Sequence, residues 1–155
     1  MSLNVGDKAP QFTLPRDGGS TVSTDDYAGK NMVVYFYPKD STPGCTTEAK
    51  DFTALINDFD AANTVVIGIS KDSVKRHDNF VQKQNLKVIL GADEDGMVCE
   101  AYNVWQLKKF MGREYMGIVR ATFLIDGQGI IQHIWPKVKV KGHAAEVLEK
   151  AQALS

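Results

Sequence analysis

The stretch Met32-Val33-Val34-Tyr35-Phe36-Tyr37-Pro38-Lys39-Asp40-Ser41-Thr42-Pro43-Gly44-Cys45-Thr46-Thr47-Glu48 decides how this chain is read. Its opening residues, Met32 to Tyr37, are apolar without a break and rich in strand formers. A run apolar on both faces suits a strand buried on both sides, as in a sheet covered by helices. Pro38 ends that strand, because it cannot donate to a ladder. Thr42 is a favoured helix cap, and Pro43 follows at the first helical position, where proline is favoured. A helix therefore starts here, with Cys45 at about the third position of its first turn. Free backbone N–H groups and the positive end of the helix dipole point there, and both stabilise a thiolate over a thiol. The loop from strand end to helix start is also where α/β sheets hold ligands. Local physics alone predicts a nucleophilic cysteine at position 45.

Working outward, Val65-Val66-Ile67-Gly68-Ile69 is a second buried strand. Between the two strands, Phe52, Leu55, Ile56 and Phe59 recur at i, i+3, i+4 and i+7, which predicts one amphipathic helix. A further helix is expected from Ser73, its cap, to Gln84. A short strand over Leu86 to Leu90 and a short helix over Asp95 to Asn103 follow. Strands from Arg120 to Ile125 and from Ile130 to Trp135 flank Asp126-Gly127-Gln128-Gly129, a hairpin turn. The closing helix runs from His143 to Leu154, with Val147, Leu148 and Ala151 on one face. Towards the N-terminus, Phe12-Thr13-Leu14 and Thr21-Val22 flank the turn signal Asp17-Gly18-Gly19. Thr24 to Tyr27 reads as one short helical turn, stopped at Gly29. This order describes an α/β, thioredoxin-like fold: a central mixed sheet with helices on both faces and an N-terminal hairpin.

The 155 residues fit one domain, 1–155, and can bury a core without staples or metals. With 43% hydrophobic and 24% charged residues, the composition is that of an ordinary globular protein. The net charge of −1 provides no global field for nucleic acid or an anionic membrane. No apolar run approaches membrane-span length, and the first residues carry no secretory pattern. Two cysteines, Cys45 and Cys99, cannot build a disulfide framework of the secreted kind, so a reducing, cytoplasmic setting is expected. There is no Gly-rich phosphate loop and no paired Cys/His ligand spacing, so neither a metal nor another cofactor is expected. His77, His133 and His143 are scattered and read as satisfied or solvated histidines.

The pattern Pro38-x-x-x-Thr42-x-x-Cys45 resembles the active-site motif of the peroxiredoxins. The fuller string FYPKDSTPGCTTEAKDF is similar to the subfamily of bacterioferritin comigratory protein, or peroxiredoxin Q. The likeness continues through VGDKAPQFTLP, IGISKDS, DEDGMVCEAYNVW and KKFMGREYMGIVRATFLID, and so covers nearly the whole chain. It implies a thiol-dependent peroxidase whose Cys45 is oxidised by hydrogen peroxide or an organic hydroperoxide to a sulfenic acid. It implies that Arg120, in Gly117-Ile118-Val119-Arg120-Ala121-Thr122-Phe123, meets the reactive cysteine; Arg113 is the weaker candidate. A guanidinium near sulfur favours thiolate, and its fork can hold a peroxide oxygen. Thr42 is expected to offer a hydroxyl at the site and Pro38 to shield it from water. Thr42, Gly44, Arg120 and Tyr37 are the expected substrate contacts. Glu48 stands where similar proteins carry an acid, either orienting a basic neighbour or serving the helix dipole.

Many members of the subfamily carry a resolving cysteine where this chain has Lys50, and some carry one near Phe80-Val81-Gln82; neither is present here. The remaining thiol, Cys99, reads more readily as a half-buried helix residue than as a resolving partner. A one-cysteine mechanism is therefore expected, with an external reductant: thioredoxin, glutaredoxin or a small thiol. The Lys50 charge is expected to favour the thiolate weakly at most. Trp105, Phe110 and Met111 are expected to form an apolar patch, as core packing, as a wall for alkyl hydroperoxides or as a contact for a reducing partner. A monomer or weak homodimer is expected. The rival readings are a peroxide-sensing switch and a general thiol–disulfide oxidoreductase. The second needs a Cys-x-x-Cys pair that Cys45-Thr46-Thr47-Glu48 lacks.

Overall fold

A computed structural model describes residues 3–154. The apolar run from position 32 is the middle of a five-stranded sheet. Its strand β3 (Asn31–Phe36) is flanked by β4 (Thr64–Ser70) in parallel and β8 (Ala121–Ile125) antiparallel. Outside these lie β5 (Ile89–Ala92), parallel to β4, and β9 (Ile131–Trp135), antiparallel to β8. The order is β5-β4-β3-β8-β9, the mixed sheet that the sequence implies. Every residue of β3 is buried, which explains its lack of polar alternation.

Alternate residues of β3 serve two separate cores. Met32, Val34 and Phe36 face one, together with Ile67, Ile69, Phe123 and Ile125. The N-terminal hairpin covers that side through Leu14 of β1 (Thr13–Pro15) and Val22 of β2 (Thr21–Ser23). The short helix α4 (Met97–Ala101) joins it with Val98 and Cys99. Val33, Tyr35 and Tyr37 face the opposite core. There α1 (Pro43–Ala54) contributes Cys45, Ala49 and Phe52, α2 (Ile56–Ala61) contributes Phe59, and α3 (Val74–Gln84) contributes Phe80. The closing helix α5 (His143–Ala153) adds Ala144, Val147, Leu148 and Ala151. Tyr35 stacks on Phe52 at 4.7 Å between ring centroids and lies across Gly68 of β4. A Cβ at Gly68 would sit 2.6 Å from the tyrosine ring, so only glycine admits that packing.

Four expectations need correction. The single helix expected through Phe52 and Phe59 is broken at Leu55. The Leu55 N–H bonds the Phe52 carbonyl, a turn tighter than α, and this still brings the Phe52 and Phe59 rings to 5.8 Å. The strand expected from Leu86 begins only at Ile89. The Lys87 N–H is taken by the Thr53 hydroxyl at 3.1 Å instead of a ladder carbonyl. The helix expected over Asp95 to Asn103 is confined to α4. It starts where the buried Asp93 carboxylate accepts the N–H groups of Val98 and Cys99. Finally, of Trp105, Phe110 and Met111 only Trp105 packs against a core, half-buried, so the three do not form one core patch. They belong to a hairpin of β6 (Trp105–Phe110) and β7 (Arg113–Ile118) whose tip projects outward, leaving Met111 87% exposed. Among the described residues no helix is long and apolar enough to cross a membrane.

Candidate active site

Cys45 lies in the first turn of α1, as its sequence context predicts, and is 1% exposed. Thr42 is the residue before the helix, and its carbonyl accepts the Thr46 N–H at 2.8 Å. The Thr42 hydroxyl does not cap the helix. It donates to the Lys39 carbonyl at 2.8 Å and closes the loop between β3 and α1. Of the two expected uses of the Thr42 hydroxyl, towards the thiolate or towards an incoming oxygen, its hydrogen serves neither here, because it is engaged by the Lys39 carbonyl. Pro38 is exposed just beyond the end of β3.

Arg120 sits directly before β8, the strand beside β3, and that neighbourhood carries its side chain to α1. Nη2 donates to Cys45 Sγ at 3.2 Å, and Nη1 donates to Glu48 Oε1 at 2.6 Å. Glu48 is one helical turn beyond Cys45, so both face the same guanidinium. Gly44 makes room for this arrangement: a Cβ there would lie 3.2 Å from Arg120 Nη2. Burial pushes the Glu48 carboxyl up to about 7, even though Arg120 pulls it back, and the charge of Asp51 adds to the rise. Burial works against the Arg120 cation, but the charges of Glu48 and Cys45 more than offset it, so Arg120 is held above its ordinary value. Glu48 Oε2 and the Tyr35 hydroxyl are buried without a protein hydrogen-bond partner.

Tyr37 packs in the same core as Cys45, but its hydroxyl turns away to donate to Asp40 Oδ1 at 2.5 Å. Arg113 is on β7 and exposed. Lys50 is also exposed. Cys99 is on the other face of the sheet. Its core is the one lined by Met32, Val34 and Phe36, whereas Cys45 belongs with Val33, Tyr35 and Tyr37. Burial, with Asp93 beside it, holds the Cys99 thiol far above its ordinary value, which favours the neutral thiol.

Of the histidines, His77 is fully buried and paired with Asp40 at 2.6 Å. His143 lies 2.8 Å from the Thr122 hydroxyl, and burial pushes it down to about 4. His133 packs against Trp135 with the rings tilted, 4.1 Å between centroids. The Asp40–His77 pair is the part of the site region that sequence reasoning missed. Its only signal was an acid in the loop before Cys45. Among the described residues no cluster of three or more His, Cys, Asp or Glu could hold a metal.

An arginine joining a helix-start thiol to a buried carboxylate suits a reaction that moves charge from sulfur to an oxygen leaving group. Comparison with known proteins shows the family. Residues 5–134 match the AhpC/TSA family. The chain is 55% identical over 148 residues to a putative peroxiredoxin bcp of Coxiella burnetii, covering 96% of this chain and 98% of that one. It is 49% identical over 155 residues to the peroxiredoxin Bcp of Bacillus subtilis, covering 100% and 99%. Among solved structures, bacterioferritin comigratory protein of Xanthomonas campestris superposes with a TM-score of 0.88 at 45% identity, over 92% of this chain and 91% of that one. That structure was presented as giving insights into alkyl peroxide reduction activity. A mutant of peroxiredoxin Q of Xylella fastidiosa superposes with a TM-score of 0.94 at 39% identity, over 99% and 98%. The chain therefore belongs to the AhpC/TSA family and is a thioredoxin-fold peroxiredoxin of the bacterioferritin comigratory protein type.

Proposed function

We propose that Cys45 is the peroxidatic thiol and that the chain reduces hydrogen peroxide and organic hydroperoxides by a one-cysteine route. The observation that carries this reading is the guanidinium bridge from Cys45 Sγ to Glu48 through Arg120. The Cys45 thiolate attacks the terminal oxygen of the hydroperoxide in line with the O–O bond. An S–O bond forms, the O–O bond breaks, and both electrons of that bond leave with the departing oxygen. Protonation of that oxygen gives water or an alcohol, and Cys45 is left as a sulfenic acid. The negative charge leaves sulfur as it grows on oxygen, so a donor that reaches both positions lowers the barrier. Arg120 Nη2 is placed for this, and Glu48 holds the other arm of the fork. The Thr42 hydroxyl spends its hydrogen on Lys39, so its lone pairs are free to accept the peroxide O–H. Gly44 leaves room for the Arg120 guanidinium beside Cys45. Alkyl hydroperoxides are included because the Xanthomonas campestris relative is described by its alkyl peroxide reduction.

The sulfenic acid is then reduced by an external thiol: thioredoxin, glutaredoxin or a small thiol. The reductant first forms a mixed disulfide with Cys45 and releases water. A second thiol then frees Cys45. Cys99 takes no part, since the sheet stands between it and Cys45. Two unpaired cysteines used in this way suit a reducing, cytoplasmic compartment. The test is steady-state peroxide consumption with excess dithiothreitol. The wild type and Cys99→Ser turn over many times and Cys45→Ser does not. Oxidation that stops after one equivalent would instead favour a peroxide sensor.

A further inference from the structure

The loop that delivers Cys45 is held by a buried polar clamp. Three separate elements grip Asp40, which lies five residues before Cys45. The Tyr37 hydroxyl, at the end of the central strand run, donates to Oδ1 at 2.5 Å. His77 Nδ1, from α3, meets Oδ2 at 2.6 Å. The Asp40 N–H donates to Asp72 Oδ2 at 2.8 Å, in the loop after β4, and Ser70 donates to the same oxygen at 2.7 Å. Arg76 of α3 pairs with the other Asp72 oxygen at 3.3 Å. His77 Nε2 lies 2.9 Å from the Gly91 carbonyl of β5, which can only accept, so Nε2 carries a hydrogen. One more proton lies between Nδ1 and Asp40. His77 is fully buried and Asp40 nearly so, a costly placement for an ion pair that needs a reason.

The residue that follows the clamp supplies that reason. Ser41 has φ +63°, the left-handed region that a non-glycine residue adopts at a cost. It sits between the fixed Asp40 and Thr42, whose carbonyl opens α1. Without the clamp, nothing on Asp40 would hold Ser41 in that region, and relaxation to negative φ would swing the peptide that starts the helix. Cys45, in the first turn, would move with it, away from Arg120 Nη2.

We infer that Asp40 and His77 are positioning residues for the peroxidase reaction: their buried pair holds Ser41 in the left-handed conformation and thereby sets the helix start that presents Cys45 to Arg120. The clamp favours the closed, peroxide-reactive arrangement. In that arrangement Cys45 is only 1% exposed, which hinders the approach of an external thiol. Releasing the clamp therefore slows oxidation by peroxide without slowing reduction of the sulfenic acid. This rests on Cys45 being the reacting thiol.

The test compares Asp40→Ala, Asp40→Asn and Asp40→Ala with Ser41→Gly, and Cys45→Ser serves as control. Asparagine keeps the clamp: Oδ1 accepts from Tyr37, and Nδ2 donates to a neutral His77 that still donates to Gly91. Glycine removes the strain that the clamp opposes. Three quantities are read: the second-order rate constant for Cys45 oxidation by hydrogen peroxide, the rate at which dithiothreitol reduces the sulfenic acid, and hydrogen exchange of the amides of residues 44–47. Asp40→Ala should slow oxidation at least tenfold, leave reduction as fast or faster, and speed exchange. Asp40→Asn should stay within threefold of wild type, and adding Ser41→Gly to Asp40→Ala should restore most of the lost rate.

If Asp40→Ala does not fold, Tyr37→Phe removes one grip and replaces it in every arm, with a twofold to fivefold slowing expected. Native oxidation rates in the clamp variant overturn the inference. So does slowing with unchanged exchange, equal slowing of both steps, or no recovery with Ser41→Gly. Peroxide turnover by Cys45→Ser would instead overturn the proposed function, and the exchange data would still decide whether Asp40 holds the helix start.

Discussion

Arg120 binds Cys45 and Glu48 with different nitrogens of one guanidinium, Nη2 at 3.2 Å from Sγ and Nη1 at 2.6 Å from Oε1. Only a planar fork spans both positions at once. Lysine offers a single point charge on a flexible stem. Arg120→Lys should therefore keep the fold but lower kcat/KM for hydrogen peroxide by about a hundredfold, near 3 kcal/mol of transition-state stabilisation. Steady-state kinetics with saturating dithiothreitol measures this directly.

Glu48 makes the site sensitive to pH. Its carboxyl is held at about 7 by burial, against the pull of Arg120. The folded chain thus binds a proton between roughly pH 4.5 and 7 that the unfolded chain releases. The stability from this group is fully present below that window and is lost as pH rises through it. Wild type should lose up to about 3 kcal/mol relative to Glu48→Gln between pH 5 and pH 8, read by urea unfolding. The rate of Cys45 oxidation should also show an inflection near pH 7 that Glu48→Gln removes.

At Gly44 the space for a side chain is already taken by Arg120. A methyl group placed 3.2 Å from Nη2 displaces the guanidinium rather than the backbone. Gly44→Ala should lower kcat/KM about threefold to tenfold, and the melting temperature should move by no more than a few degrees.

Cys99 is fully buried, in the core on the opposite face of the sheet from Cys45. Cys99→Ser should keep peroxidase activity within about twofold and lose about 1 kcal/mol of stability, from a hydroxyl placed in a fully buried site. Lys50→Ala should leave the oxidation rate within twofold, because the side chain is exposed on α1.

The parts of this structure that were legible in the sequence rest on local rules. The run from Met32 to Tyr37 reads as a strand buried on both sides because both of its faces must be apolar. The start of α1 reads from Pro43, and the start of α3 from Ser73, whose hydroxyl accepts the Arg76 N–H. Long-range partners stayed hidden. The strand at β5 begins late because Thr53, far away in sequence, takes the Lys87 N–H. The Thr42 hydroxyl turns to Lys39 because the loop folds back on itself, which no propensity encodes. Asp40 and His77 are 37 positions apart, and a lone histidine on an otherwise amphipathic helix carries no sign of a buried partner. The hairpin of β6 and β7 was missed because its strands mix Leu107, Phe110, Tyr115 and Met116 with charged residues and leave them exposed, so the usual alternation is blurred.

The central claim is that Cys45 alone carries the oxidation and that Cys99 never resolves it. The most direct measurement is peptide mass spectrometry of the reduced protein after one equivalent of hydrogen peroxide in the presence of dimedone, with no thiol added. The account predicts one dimedone adduct, on Cys45, and an unmodified Cys99. A Cys45–Cys99 disulfide, or an adduct on Cys99 with Cys45 untouched, would contradict it.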